Sequence, residues 1–208
     1  NLMQRLKDNV RQQIISIART EFIRHGYKGC SMNAIADELN MSVGNIYRYY
    51  RSKDELFSAV LQPAIHALER CFEANSRRSV NPDEIFNSPS AVEDISMILL
   101  GIIQPYREEL KLLFSESKGT SVESYFEQLL ERFYESGQTY LSRMQAEFPS
   151  LNLRLHPIFI RLDCLSWSNL LHVISMNPEL NEDDIRSLVD TYIRFNQAGW
   201  EQIFFKNK

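Results

Sequence analysis

Residues Ser42 to Tyr50 read Ser-Val-Gly-Asn-Ile-Tyr-Arg-Tyr-Tyr, a short segment in which Ile46 alone is strongly apolar. Asn45, Tyr47, Arg48, Tyr49 and Tyr50 all end in hydrogen-bonding groups. A helix with one apolar anchor and so many polar tips is not simply core. Its surroundings are basic: residues 1–53 hold nine Lys and Arg against four Asp and Glu, whereas residues 54–208 hold fourteen against twenty-three. The net charge of −4 therefore conceals a +5 segment and a −9 remainder, the distribution of a basic module that meets a polyanion and an acidic body that does something else. Catalysis has no comparable support. There is no nucleophile–base pairing, no phosphate-cradling Gly loop and no metal-ligand spacing, so no catalytic residue, metal or cofactor is expected.

The elements that must position this segment are helical. Apolar residues recur at three and four along nearly the whole chain, and no apolar/polar alternation lasts long enough for a strand. Ile14, Ile15, Ala18 and Phe22 make the inner stripe of a first helix, predicted to end at Gly26, with Tyr27 to Cys30 as connector. Ser31 is the expected N-cap of a brief second helix with Ile35, Ala36 and Leu39 inside. Asn40 tolerates the positive φ of a tight turn, and Ser42 caps the next helix. Ser52 with Glu55 forms a capping box opening a long helix through Leu56, Val60, Leu61, Leu68 and Phe72, which Pro63 is expected to kink. Residues 74–90, with Arg77, Arg78, Pro82 and Pro89, read as a polar loop. Further helices are expected near 91–104, 105–117, 121–147, 154–176 and 181–205, separated at Pro105, Gly119–Thr120, Pro149 and Asn177–Pro178. Asn181 and Asp184 supply a variant capping box for the last.

Two short helices joined by a tight turn in a basic quarter form a helix-turn-helix, whose second helix enters the DNA major groove. Residues Ile14 to Leu56 also resemble the DNA-binding domain of the TetR family of transcriptional repressors. The string that carries the resemblance is Ala18, Phe22, Gly26, Tyr27, Ser31, Ile35, Ala36, Leu39, Ser42, Gly44, Ile46, Tyr47, Tyr49, Tyr50, Lys53 and Leu56. Asn40 stands where that family usually has glycine.

The resemblance implies that Tyr47, Tyr49 and Lys53 grip phosphates, helped by the Ser31 and Ser42 hydroxyls. It places Met32, Asn33, Val43, Gly44, Asn45 and Arg48 toward the major groove, where Asn suits adenine, Arg suits guanine, and Val or Met meets a thymine methyl. Tyr49 and Tyr50 have packing between the second and fourth helices as an alternative.

For the rest of the chain the resemblance implies an effector-binding and dimerisation domain, so the expected fold is all-α: a three-helix DNA-binding domain at 1–52 and a larger helical domain at 53–208. The helix near 154–176 keeps Arg161, Ser168, His172 and Ser175 on one arc and is otherwise apolar, as a helix buried on two sides must be. In the last helix Ile185, Val189, Tyr192, Gly199, Trp200 and Ile203 share a face, and Gly199 would admit a close neighbour. A homodimer through these two helices is expected, with a merely internal helix pair as the alternative. An effector pocket implied between the fourth and eighth helices has Phe72, Tyr106, Phe114, Tyr125, Phe126, Phe133 and Trp167 as candidate lining, although such aromatics also serve as core. Asp163 falls among Phe159, Trp167, Leu170 and Ile174 and needs a partner. A cationic ligand, an Arg or His of a second subunit and exposure at a groove edge all remain open.

The expected protein is a ligand-responsive, homodimeric repressor. It binds near-palindromic double-stranded DNA and is released by an unidentified small molecule. An all-helical small-molecule-binding protein or enzyme, and a helix-turn-helix used for protein contacts, are the alternatives. No apolar run reaches bilayer length, and the first residues lack a secretory pattern, so a cytoplasmic location is expected. Cys30, Cys71 and Cys164 are expected to be free thiols, and His66 and His172 satisfied or exposed histidines.

Overall fold

The computed structural model describes residues 2–77, 79–88, 90–151, 153 and 155–205, and every regular element among them is a helix. In chain order these are α1 Leu2–Gly29, α2 Met32–Glu38, α3 Val43–Tyr47, α4 Lys53–Ser76, α5 Pro82–Phe86, α6 Ala91–Glu116, α7 Ser121–Glu147, α8 Pro157–Met176 and α9 Glu182–Phe205. They group into two compact units: Asn1–His66 with Glu108–Phe126, and Ala67–Arg107 with Glu127–Lys208. Helices α4, α6 and α7 each contribute residues to both.

In the first unit, the α1 stripe Ile14, Ala18 and Phe22 is fully buried together with Ile35, Ile46, Leu56 and Phe57. Phe22 meets Phe57 edge to face at 5.0 Å, and Tyr27 lies 4.9 Å from the same ring. Each such large side chain removed from water is worth about 1.5–3 kcal/mol, which holds helices as short as α2 and α3 in place. Two carboxylates of α6 fasten α1: Arg19 donates through Nε and Nη2 to Glu109, and the Tyr27 N–H donates to Glu116 Oε2 at 3.0 Å. Beside Tyr27, Gly26 adopts φ 68°, ψ 173°, a region open to glycine alone. A Cβ there would also stand 2.9 Å from Glu116 Oε2.

The second unit contains an apolar cluster of Val80, Met144, Leu151 and Phe204, with Tyr140, Trp200 and Ile203 against it. Ser96 Oγ donates to Asp190 Oδ1 at 2.6 Å, joining α6 to α9. Arg107 donates to the carbonyls of Ile174, Asn177 and Leu180, satisfying acceptors where α8 ends and the chain turns toward α9.

Several boundaries differ from the sequence expectation. The regular run of α1 breaks at the positive-φ Gly26 as expected, but the expected connector after it is helical: the Cys30 N–H bonds to the Gly26 carbonyl at 3.2 Å and makes Tyr27–Gly29 a further turn. Helical conformation continues across Pro63 through all of α4. Pro63 is exposed, and its missing N–H leaves the Ala59 carbonyl without a helical donor. The expected break at Pro105 is present: α6 leaves helical geometry at Tyr106, φ −123°, ψ 19°, so its two helical stretches meet at a kink directly after the proline. The expected loop at 74–90 holds the end of α4 and the short α5; Arg78 and Pro89 lie outside the described residues. Helix α8 starts at Pro157, with His156 as N-cap accepting from the Ile158 N–H at 3.2 Å.

Candidate nucleic-acid interface

Local hydrogen bonds build the helix-turn-helix. Ser31 Oγ accepts from the Ala34 N–H at 3.1 Å and Ser42 Oγ from the Asn45 N–H at 3.2 Å, capping α2 and α3. Between them the Asn40 N–H reaches the Asp37 carbonyl and the Met41 N–H the Ala36 carbonyl, each at 3.1 Å. That double closure is a Schellman motif with Asn40 in the left-handed position, φ 50°. Ser52 Oγ accepts from the Glu55 N–H at 3.0 Å and opens α4, while the Glu55 carboxylate turns back to the Arg51 N–H.

Helix α3 is pinned by Ile46, which has no exposed surface, and presents the rest of its length outward. Tyr47 is 45% exposed; Gly44 and Arg48 are exposed, and Val43, Asn45 and Tyr49 are half-buried. A Cβ at Gly44 would meet nothing within 4 Å, so the fold itself does not require glycine there, and the bare backbone is open to a close approach. Ser31, Asn33 and Ser42 are exposed beside it. This polar, unencumbered face is what a base-reading helix needs.

Three sequence-selected residues behave differently. Met32 is 7% exposed and lies in the core with Ile35 and Ala36, so it does not offer its methyl to a groove; the spacing of three and four from it to those two residues was the signal for burial. Tyr50 is buried, and burial pushes its hydroxyl above the ordinary phenol range, which is the packing alternative. Lys53 Nζ donates to the Tyr27 carbonyl at 2.8 Å and the Cys30 carbonyl at 3.0 Å. Arg11 is a residue sequence reasoning passed over: its Nη2 donates to the Tyr49 carbonyl at 3.5 Å, and its guanidinium lies 5.8 Å from the Tyr50 ring centre.

Phe72 stacks on Phe133 at 4.3 Å in one unit, and Phe114 meets Phe126 edge to face at 5.4 Å in the other. Tyr106 stands at the α6 kink, and Tyr125 is half-buried on α7. Asp163 is half-buried, and the indoles of Trp167, one turn along α8, and Trp200 on α9 act on its carboxyl in the direction that favours the charged form. The same two indoles pack edge to face against other rings, Trp167 on Tyr192 at 5.0 Å and Trp200 on Phe159 at 5.5 Å. His66 pairs with Gln62 at 2.8 Å and is exposed, and no disulfide joins Cys30, Cys71 or Cys164. Among the described residues no helix is long and apolar enough to cross a membrane, and no cluster of His, Cys, Asp or Glu is set to hold a metal.

The described residues define an all-helical fold with a helix-turn-helix module near its N-terminal end. Residues 14–60 match the bacterial regulatory proteins of the tetR family, so this segment is similar to the module that family shares. A helix-turn-helix-type transcriptional regulator of Mycobacterium bovis is 34% identical over 58 residues, 28% of this chain and 25% of the relative. One of Staphylococcus aureus is 41% identical over 56 residues, 27% of this chain and 30% of the relative. The chain thus spans between a quarter and a third of the length of these curated relatives. The structure of the Bacillus subtilis transcriptional regulator FadR in complex with stearoyl-CoA shares the fold, with a TM-score of 0.64, 14% identity, and coverage of 90% of this chain and 98% of that one.

Proposed function

We propose that this chain is a ligand-responsive transcriptional regulator, a repressor that binds a near-palindromic DNA operator as a homodimer in the cytoplasm and releases it when a small molecule binds. The observation that carries the reading is α3: a capped helix anchored by Ile46 alone, set at a fixed angle by the Asn40 turn, with Tyr47, Arg48 and bare Gly44 facing outward. In this reading residues 1–52 are the DNA-binding domain and residues 53–208 bind the effector and dimerise. Ser31, Ser42, Tyr47, Tyr49 and Lys53 position the phosphate backbone, while Asn33, Val43, Gly44, Asn45 and Arg48 face the bases.

Dimerisation through α8 and α9 is supported by an exposed stripe along α8: Ile158, Leu162, Leu165, Val173 and Met176, at intervals of three, four or their sums, with the first two 61% and 59% exposed. On α9 Phe195 is 76% exposed, and the space around Gly199 is open. Large apolar side chains at such regular spacing are costly in water and suit a partner helix. A twofold dimer would present two identical reading helices, hence inverted half-sites about one helical turn or somewhat more apart.

Selection of bound sequences from random duplex DNA, followed by titration of the recovered site over a range of salt, tests the reading. The expected result is an inverted repeat bound with a steep fall in affinity as salt rises. No enrichment together with a shallow salt dependence would transfer the basic module to protein contacts and leave an all-helical binding protein.

A further inference from the structure

Arg11 precedes the family-matched segment, which begins at residue 14. It is exposed, yet it is tied to the end of the reading helix, one donor on the Tyr49 carbonyl and its guanidinium carbon over the Tyr50 ring, 5.8 Å from the centre. Tyr50 is buried, so the tether rests on a fixed support. A guanidinium carries five N–H donors in one plane; the Tyr49 carbonyl engages one of them, and the ring face engages none. The remaining donors form the planar fork that fits a phosphate bidentately. Lys7 lies four positions earlier and is exposed, so the two cations share one side of α1 a turn apart. Asp8 is the single carboxylate from Leu2 to Thr20, against Arg5, Lys7, Arg11 and Arg19.

We propose that Arg11, extended by Lys7 one turn before it, grips the DNA phosphate backbone flanking the bases that α3 reads. This rests on the regulator reading above and enlarges its interface beyond the family-matched module. Tyr49 marks the place, because it is itself assigned to the phosphates and its carbonyl aims the Arg11 fork at the same stretch of backbone. The grip carries no sequence information; it sets the register of α3 and adds electrostatic affinity.

The test compares wild type with Arg11→Ala, Arg11→Gln and Arg11→Lys on mixed-sequence duplex DNA over a salt series, with thermal melting to verify folding. Gln keeps a donor for the Tyr49 carbonyl but no charge, and Lys keeps the charge. The Ala and Gln variants are expected to bind about tenfold more weakly at low salt, with the log–log salt slope reduced by about 0.9 for each phosphate that residue 11 ceases to neutralise. The Lys variant keeps the wild-type slope, and base preference is unchanged in all three. If Ala and Gln bind as wild type does, or if all three lose affinity with the slope intact, Arg11 merely props α3 and the proposal is overturned. If Ala does not fold, Gln decides. A shallow slope in the wild type itself is a different failure, that of the regulator reading.

Discussion

Lys53 and Tyr27 are joined twice: the Lys53 ammonium donates to the Tyr27 carbonyl at 2.8 Å and sits 4.6 Å from the centre of the Tyr27 ring. With the further bond to the Cys30 carbonyl, one side chain at the start of α4 secures the last turn of α1 and the entry to α2. A residue assigned to the phosphates by resemblance thus holds together the module that would meet them. Lys53→Ala should cost about 1–3 kcal/mol of unfolding free energy, because two charge-assisted hydrogen bonds disappear, and should weaken binding to all duplexes alike. Urea unfolding beside DNA titration checks this; weaker binding with unaltered stability would return Lys53 to a purely phosphate-contacting role.

The outward face of α3 divides into grip and readout. Tyr47→Phe should reduce affinity for every sequence by a similar factor, whereas Arg48→Ala and Asn45→Ala should relax preference at particular base pairs, each by about 1–3 kcal/mol of discrimination. Base-preference profiles of the three variants decide it, and a shifted profile for Tyr47→Phe alone would reverse the assignment.

The Asn40 turn gives a sharper test of local backbone chemistry. At φ 50° glycine is at ease and a β-branched residue is not. Asn40→Gly should leave stability within about 0.5 kcal/mol, and Asn40→Val should lower it by about 1–2 kcal/mol and reduce DNA affinity as the angle of α3 relaxes. Equal melting temperatures for the two variants would contradict the strained-turn account.

Burial pushes the Asp163 carboxyl up to about 6 from its ordinary 3.8, despite the opposing effect of the Trp200 and Trp167 indoles. The folded protein therefore holds this proton more tightly than the unfolded chain does. Stability from this group grows as pH falls from above 6 toward 4 and is lost as pH rises through 6. Asp163→Asn should remove that dependence, becoming more stable relative to wild type by on the order of 1–3 kcal/mol between about pH 5 and about pH 8. Melting curves at the two pH values measure it, and a wild-type-minus-mutant difference independent of pH would refute it.

The exposed apolar stripe of α8 predicts association. Wild type should sediment as a dimer at micromolar concentration, and Leu162→Glu combined with Phe195→Glu should sediment as a monomer with its helical content intact, since both side chains are largely outside the core. A monomeric wild type would leave the stripe without this explanation.

The helix-turn-helix was legible in the sequence because its determinants act over a few residues. Ser31, Ser42 and Ser52 cap the helix starts that follow them, Asn40 closes α2, and the Asn181–Asp184 pair caps α9, all through bonds to atoms at most five positions away. Apolar spacing likewise placed Ile14, Ala18, Phe22, Ile35 and Ile46 in the core. Tertiary structure alone decided the rest. Lys53 reaches back 26 residues to Tyr27, Arg11 forward 38 to Tyr49, and Glu116 back 89 to Tyr27. That Lys53 turns inward while Arg11 stays exposed, and that Asp163 is half-buried, depends on which distant surfaces meet. Pro105 and Pro63 differ in outcome, α6 leaving helical geometry right after the first and α4 staying helical across the second: a proline forfeits one hydrogen bond locally, but packing along the remaining turns determines whether the helix continues.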